Sequence, residues 1–321
     1  MFAPPPNVRF LALCGMIALG ACGGGEEGTG FTPPAPREDV VVGTITAFGS
    51  VWVNDIHFEI DSSTVVIDGV AGTTADLRLG MVATIEGTIN PDNETGTART
   101  ISVDEALRGA VTAVAADSIT VLGQTVRFDT ATFFDSFSDI NELIGSNVEI
   151  SGYNESSGVV SATRIERLTE APTQTKMQGT VENLDLVAKT FRIGTLVVSF
   201  ANLATAPTLS NGTVVDVLGI INAVTGQLDA VEITIKTIPV TDAPKFKYQG
   251  NVTVAFNTAT GEFTVDNLVV RTNSATQFEN LSAAELVIGV RIEVEGALVN
   301  GIIEAKEIEL RDTPTSSTDS D

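Results

Sequence analysis

The stretch "GMVATIEG" at residues 80–87 has three counterparts along the chain: "GSNVEISG" at 145–152, "GTVVDVLG" at 212–219 and "GVRIEVEG" at 289–296. Each copy carries two glycines seven positions apart, and apolar residues alternate with polar ones between them. Alternation with a period of two is typical of a β-strand that buries one face. The recurrence indicates an internal repeat, and each copy predicts one strand of the repeated unit.

The sequence on either side of these strands completes the unit. Three alternating segments and a short segment suited to a single helical turn precede each copy, and a polar turn and a last alternating strand follow it. A glycine that ends a short hairpin loop supplies the positive φ of a bulged turn. The units begin at Gly43, Gly109, Gly179 and Gly250, and the turns end at Gly96, Gly158, Gly226 and Gly301.

The order of three strands, a helical connection and two strands is that of five-stranded Greek-key barrels of the OB type. We therefore predict an all-β chain with four tandem small five-stranded OB-like β-barrel repeats, set in a row. β-Sandwich or solenoid repeats are the alternative. Units of about 60 to 65 residues lie near the lower size limit for independent folding, so neighbouring units are expected to stabilise one another. The predicted repeats span residues 40–107, 108–169, 176–237 and 246–311.

The N-terminus predicts export. Arg9 precedes an apolar run from residue 10 to residue 21, which is too short to cross a bilayer and has the length of a signal-peptide core. Residues 19–22, "LGAC", resemble the lipobox of bacterial lipoproteins. The resemblance implies that residues 1–21 are removed and that Cys22 receives a diacylglycerol, which anchors the protein to a membrane. A buried cysteine in an N-terminal helix is the alternative.

Further consequences follow from this resemblance. Gly23 follows the cysteine, and a residue other than Asp at this position resembles lipoproteins that are passed on to the outer membrane. The expected location is therefore the outer membrane of the cell envelope, on either of its faces. Cys14 lies in the removed segment, which leaves the mature chain without a free thiol for a disulfide or a nucleophile. Residues 22–39 are rich in glycine and proline and predict a flexible tether, and residues 312–321 predict a disordered acidic tail.

Taken together, the lipobox and the recurring "G-x-V-x-V-x-G" hairpin resemble tandem bacterial envelope domains of unknown function. The resemblance covers roughly residues 40 to 311. It implies the barrel fold and an envelope location. It implies no activity and no catalytic residues.

The charge balance excludes one class of partner. The chain has 41 acidic and 18 basic side chains, for a formal net charge of −23. Nucleic-acid binding requires a basic footprint that releases counterions, and this composition supplies none. We expect no nucleic-acid partner.

The residue types also argue against most enzyme mechanisms. His57 is the chain's one histidine, which argues against a catalytic triad or histidine acid–base chemistry and excludes a metal site with two imidazoles. The sequence has no Walker A loop, Rossmann fingerprint or G-x-S-x-G elbow. We expect a non-enzymatic protein without a cofactor or a metal. A carboxylate-based envelope hydrolase is the alternative, because acidic pairs leave no motif.

A calcium loop in "NPDNETG" at residues 90–96 is a weaker alternative. Thr95 and Ile101 stand where an EF-hand loop requires its glycine and its bidentate glutamate. A weak turn site at Asp92 and Glu94 competes with an ordinary hairpin tip, which we favour.

Trp52 and His57 are the candidate ligand-binding residues. Val51 and Val53 read as inward residues, which places Trp52, the chain's one tryptophan, on the outer face of its strand, and His57 alternates in the same way. The face of strands two and three is where OB-type barrels stack oligosaccharides or oligonucleotides on aromatic side chains. A glycan, a peptide or an envelope protein is the expected ligand. The alternative is that Trp52 caps the end of its own barrel or packs against repeat two, and a third option is that the protein serves only as a structural spacer.

Overall fold

The computed structural model describes residues 38–156, 158–238, 240 and 242–311. The predicted signal peptide at 1–21, the lipidation residue Cys22, most of the tether and the acidic tail at 312–321 lie outside these described residues. Within the described ranges the chain forms β-strands joined by turns and three short 3₁₀ turns. No helix in this part of the chain is long and apolar enough to span a membrane.

The strands of the first two repeats are as follows. Repeat one contains β1 (Asp39–Ala47), β2 (Val51–Val53), β3 (Ile56–Glu59), β4 (Thr64–Ile67), β5 (Val70–Gly72), β6 (Val82–Ile89) and β7 (Thr95–Val103). Repeat two contains β8 (Leu107–Val114), β9 (Ser118–Val121), β10 (Gln124–Arg127), β11 (Phe133–Asp135), β12 (Asn147–Ser156) and β13 (Val159–Arg167).

The strands of the last two repeats follow the same order. Repeat three contains β14 (Thr175–Thr180), β15 (Glu182–Asp185), β16 (Thr190–Ile193), β17 (Leu196–Ser199), β18 (Val214–Ile221) and β19 (Leu228–Ile235). Repeat four contains β20 (Ala243–Asn257), β21 (Glu262–Val265), β22 (Leu268–Arg271), β23 (Gln277–Glu279), β24 (Arg291–Val299) and β25 (Ile302–Leu310).

Each repeat closes into a barrel by the same pairing. In repeat one, β1 pairs antiparallel with both β2 and β6, and β3 pairs parallel with β7, the partner of β6. The order around the barrel is β1-β2-β3-β7-β6, which is the OB-type order. The other three repeats close through equivalent pairings. The prediction of four tandem OB-like barrels is confirmed.

The second glycine of each pair lies at a β-bulge in the final hairpin. The pairing register shifts at Gly87, Gly152, Gly219 and Gly296. A Cβ atom there would lie between 2.1 and 2.5 Å from a carbonyl oxygen of the facing strand. Only glycine allows the two backbones to approach so closely, which explains why this glycine recurs.

The other recurring glycines differ in role. The first glycine of each pair has a positive φ, between 76° and 91°. Among the turn-closing glycines, Gly158, Gly226 and Gly301 also have positive φ, as predicted. The prediction was wrong for Gly96, because Asn93 takes the left-handed conformation in that turn, with φ 59°. Gly96 instead lies in β7 against the Phe58 ring, where a Cβ atom would lie 2.7 Å from Cε1.

The predicted helical connection is present in three repeats. It is a 3₁₀ turn at Thr74–Asp76, Ile140–Leu143 and Ala283–Glu285. Residues 200–213 of repeat three contain no helical turn, so the prediction was wrong there. Pro207 lies in this segment, and proline supplies no backbone N–H and disfavours helical geometry at the residue before it.

The barrel interiors hold the side chains that the alternation assigned to them. Val51, Val53, Ile119 and Val121 are buried, as are Phe58, Phe200 and Phe263. Phe128 and Phe278 are partly buried against their cores. The buried side chains of repeats two and three form one continuous cluster, so these barrels share a core.

The four barrels are not arranged in a row. Strand β1 of repeat one pairs parallel with β20 of repeat four, so the first and last repeats form one sheet. Strand β8 of repeat two pairs antiparallel with β14 of repeat three in a second sheet. Edge strands of neighbouring barrels therefore satisfy each other's backbone hydrogen bonds, which the sequence pattern within one unit cannot indicate.

These contacts move the predicted boundaries by a few residues. Repeat one begins at Asp39, whose carboxylate accepts hydrogen bonds from the N–H groups of Ile89 and Lys245, and not at residue 40. Leu107, assigned to the end of repeat one, is the first residue of β8. Strand β20 begins at Ala243, before residue 246, where repeat four was predicted to begin.

Candidate functional site

Trp52 lies on the outer face of repeat one, as its position between two inward valines predicted. It occupies the centre of the three-residue strand β2, and 38% of its surface is exposed. His57 lies directly opposite on β3 and is partly exposed. The two ring centroids are 4.9 Å apart and the ring planes are inclined by 37°. This separation is within the range of favourable aromatic pairs.

The turn between the two strands fixes this pairing. Asn54 and Asp55 have φ of 50° and 63°, which is the left-handed geometry of a two-residue hairpin turn. The Asn54 amide is buried and donates a hydrogen bond to the carbonyl of Val42 at 2.8 Å. That amide fills the space beside Gly43, where a Cβ atom would lie 1.9 Å from Oδ1 of Asn54. The first glycine of the repeat thus makes room for the turn that positions Trp52 against His57.

Four outward residues cross the barrel side by side and form what we call the outer row. Ala47 on β1 pairs with Trp52, Trp52 pairs with His57, and His57 pairs with Thr95 on β7. Paired residues of adjacent strands point to the same face of a sheet. Ala47 flanks the indole ring of Trp52 on one side, and the His57 ring and the Thr95 hydroxyl follow on the other side.

The neighbouring hairpin tip is tied together by short hydrogen bonds. Thr95 donates its hydroxyl to Oδ2 of Asp92 at 2.7 Å, and the Asn90 amide donates to the Thr95 hydroxyl at 2.8 Å. Oδ1 of Asp92 accepts the backbone N–H groups of Glu94 and Thr95. These bonds lower the pKa of Asp92. Its carboxylate therefore braces the ordinary hairpin tip that we favoured over a calcium loop at Asp92 and Glu94.

Repeat four supports the tip from the far side. Lys245 donates to the carbonyl of Asn90 at 2.9 Å and to Oδ1 of Asn93 at 2.8 Å. Arg311 forms an ion pair with Asp55 in the β2–β3 turn at 2.9 Å. The hairpin tip beside Thr95 and the turn that joins the strands of Trp52 and His57 are thus both held by contacts that cross from one repeat to another.

Repeat one differs from the other repeats at this face. The counterparts of Trp52 are Thr120, Arg192 and Thr264, and each is partly exposed. Their opposite residues are Thr125, Val197 and Val269, so no other repeat has an aromatic pair at these positions. The sequence located this pair correctly, because strand alternation and the turn residues determine which face each side chain occupies.

Buried polar contacts between repeats were not found from the sequence. The guanidinium of Arg291 lies 4.4 Å from the ring centroid of Tyr153, which places repeat four against repeat two. Lys176 of repeat three forms an ion pair with Asp68 of repeat one. Alternation predicted that Arg291 and Glu293 face solvent, but both are buried, with 9% and 4% exposure. The one available signal was the unusual number of charges on β24. Arg291 packs on Tyr153 of repeat two, whereas Glu293 forms ion pairs with Lys247 and Arg311 within repeat four.

Two carboxyl groups have strongly raised pKa values. Burial, together with the adjacent carboxyl group of Glu149, raises the pKa of Glu105 to about 10. Burial raises the pKa of Asp266 to about 7, against the hydrogen bond from Tyr248. In the part of the chain that the structure describes, no three side chains of His, Cys, Asp or Glu are placed to hold a metal ion.

Comparison with known proteins identifies the repeats. The family model described as "Domain of unknown function (DUF5666)" matches residues 42–102, 108–166 and 249–309, which together make up more than half of the chain. The matches coincide with barrels one, two and four. Repeat three, whose first strand is divided and whose helical turn is missing, has the same barrel pairing without a family match.

Two further comparisons add little. No curated protein matches the chain. A solved structure titled "drosophila Unr CSD456" is 14% identical, with 50% of this chain and 79% of that chain covered and a TM-score of 0.20. A likeness at that TM-score is too weak to bear on fold or function. The three family matches are sufficient by themselves: the chain belongs to the family of the domain of unknown function DUF5666.

Proposed function

We propose that this protein is a non-enzymatic, lipid-anchored component of the cell envelope that binds a saccharide through the Trp52 face of repeat one. The observation that carries the proposal is the exposed Trp52–His57 pair, with ring centroids 4.9 Å apart, on the β2–β3 face of an OB-like barrel. An exposed indole ring stacks readily on the apolar face of a sugar ring. The remaining repeats support this face and hold it in position.

The surroundings of the pair favour a saccharide over other ligands. Thr95, Asn90 and Asp92 bring hydroxyl, amide and carboxylate groups to the same end of the barrel, where they can bind sugar hydroxyls. The formal net charge of −23 disfavours nucleic acids and anionic polysaccharides. A neutral saccharide, such as an oligomer of N-acetylglucosamine, has hydroxyl groups that these side chains can bind and carries no negative charge.

The lipid anchor rests on the sequence alone. The apolar segment at 10–21 and the "LGAC" stretch at 19–22 support removal of residues 1–21 and acylation of Cys22. Gly23 supports transfer to the outer membrane. A mature chain with one histidine and no free thiol supports a binding role over catalysis.

Calorimetry tests the proposal. The N-acetylglucosamine tetramer is titrated into the mature chain carrying Cys22→Ser, and the Trp52→Ala and His57→Ala variants are compared with it. Loss of a central aromatic contact should weaken binding by about tenfold or more. Phe134→Ala is the matched control, because Phe134 is an exposed aromatic residue of repeat two. Absence of binding, or equal binding by Trp52→Ala, would refute the saccharide site.

A further inference from the structure

A cleft of about 640 Å³ lies where repeats two, three and four meet. This volume is in the range of sites that enclose small molecules. Val159 of repeat two, Glu182 of repeat three and Thr264 of repeat four are among the residues that line it. The lining, as far as the described residues show it, contains aliphatic, amide, hydroxyl and carboxylate groups and no aromatic ring. It is therefore chemically unlike the Trp52 face.

The cleft is bordered by the same barrel face that carries Trp52 in repeat one. Thr264 is the repeat-four counterpart of Trp52, and its partner Val254 is the counterpart of Ala47. Val159, the partner of Thr125 on β10, is the repeat-two counterpart of Thr95. Repeats two and four thus direct the face that OB-type barrels use for ligands toward one shared space.

Two buried oxygen atoms on the cleft lining lack a hydrogen-bond donor. Gln124 is 1% exposed, and its amide nitrogen donates to the Ile193 carbonyl at 3.2 Å. Its Oε1 is buried with no partner among the described residues. Asp266 accepts the Tyr248 hydroxyl at 2.8 Å through Oδ2, and its buried Oδ1 likewise has no described partner. Since both atoms are acceptors, a ligand that satisfies them must bring donors.

The charges along the cleft favour a cation. Its lining includes the carboxyl groups of Glu155, Glu182 and Asp266, of which Glu155 already pairs with Arg127 at 2.8 Å, and Lys236 is the one basic residue among the described lining. Lys236 already forms ion pairs with Asp104 and Asp216. A positively charged ligand would also be attracted by the net charge of the whole chain.

We propose that this cleft binds a linear aliphatic amine, whose ammonium groups donate hydrogen bonds to the carboxyl group of Asp266 and to the amide oxygen of Gln124. The methylene chain of such a ligand packs on the aliphatic walls, and ammonium groups supply donors without acceptors. A free polyamine and the lysine side chain of a peptide present this same chemistry. The site is separate from the Trp52 face and does not depend on it.

The test is calorimetric titration of the mature chain carrying Cys22→Ser with spermidine and, separately, with a short lysine-containing peptide. It is run at pH 8, where Asp266 is mainly ionised, and at 150 mM salt, which screens loose attraction to the acidic surface. We expect saturable binding of at least one of the two. Asp266→Asn retains an acceptor for Tyr248 but removes the charge, and should weaken binding about tenfold.

Control variants separate this site from general attraction. Glu182→Gln should weaken binding without disturbing the Asp266–Tyr248 bond, whereas Asp61→Asn, an exposed carboxyl of repeat one, should leave binding unchanged. Trp52→Ala should also bind normally, which distinguishes this site from the saccharide site. The proposal is overturned if neither amine binds, if a neutral diol of equal length binds equally well, or if Asp61→Asn weakens binding as much as Asp266→Asn and Glu182→Gln do.

Discussion

A Cβ atom on Gly87 would lie 2.1 Å from the carbonyl oxygen of Thr97, its neighbour across the final hairpin of repeat one. A separation this short cannot be relieved by a side-chain rotation, because the obstacle is backbone. The same approach recurs in repeats two, three and four, at a bulge in each case. The bulge therefore explains one of the two glycines that make the repeat visible in the sequence.

The first prediction concerns these two glycines. Gly152→Ala should lower the free energy of unfolding by about 2–3 kcal/mol, because its Cβ would lie 2.2 Å from the Ser161 carbonyl oxygen. Gly145→Ala should lower the free energy of unfolding by about 1–2 kcal/mol, because the φ of Gly145 is 76°. The space beside Gly145 is open, so the added Cβ atom causes no clash. Urea unfolding followed by far-UV circular dichroism measures both. A Gly145→Ala variant that is the less stable of the two would contradict the bulge argument.

The second prediction tests the contact between repeats one and three. The Lys176 side chain is 4% exposed and pairs with Asp68, so Lys176→Met deprives a buried carboxylate of its closest cation and leaves Arg108, at 3.9 Å, as its remaining partner. We expect a loss of about 3 kcal/mol or more in the free energy of unfolding. Lys306→Met is the control, because the Lys306–Glu295 pair is at the surface and should contribute less than about 1 kcal/mol. Similar losses in the two variants would mean that the buried Lys176–Asp68 pair contributes no more to the free energy of unfolding than the surface pair does.

The third prediction concerns pH. The pKa of Glu105 rises from 4.5 to about 10 on folding, chiefly through burial, so the folded chain keeps a proton that the unfolded chain releases. Between these two values the unfolded state binds fewer protons, and the contribution of this group makes stability fall as the pH rises. Glu105→Gln removes that contribution. Its urea midpoint should therefore fall less than that of the parent protein between pH 5 and pH 8.

Glu170→Gln provides the comparison for that experiment, because Glu170 is exposed between repeats two and three. The urea midpoint of Glu170→Gln should equal that of the parent protein at both pH 5 and pH 8. If Glu105→Gln also follows the parent protein, the carboxyl group of Glu105 does not hold its proton in the folded state.

The fourth prediction addresses the anchor. Cys22→Ser removes the thiol that would carry the diacylglycerol, so the variant should be recovered in the soluble envelope fraction, and its residues 1–21 should remain uncleaved by the lipoprotein signal peptidase. Fractionation and mass spectrometry of the N-terminus measure the two effects. Replacement of Cys14 by Ser should change neither. Normal membrane retention of Cys22→Ser would disprove lipid anchoring at this residue.

Much of the fold could be predicted because it is specified within each repeat. Alternation placed Val51 and Val53 inside and Trp52 outside, and the recurring glycines marked the final hairpin. Contacts between repeats could not be predicted in the same way. The pairing of β1 with β20 joins segments about two hundred residues apart, and Arg291 reads as an ordinary surface cation until Tyr153 is seen against it.

The same limit applies to the two candidate sites. Trp52 and His57 belong to one hairpin, so a single strand register brings them together. The cleft needs Gln124, Glu182 and Asp266 from three different repeats, and no local pattern connects them. A site built from one repeat could be found in the sequence, whereas a site built between repeats required the structure.

The central claim is tested most directly by the fluorescence of Trp52, since the single tryptophan lies in the proposed saccharide site. The emission of the mature chain carrying Cys22→Ser is followed while the N-acetylglucosamine tetramer is added. The proposed function predicts an exposed indole whose emission shifts to shorter wavelength and saturates. An emission that is already blue-shifted and unresponsive would show that Trp52 is packed, contradict the saccharide site and favour a spacer role.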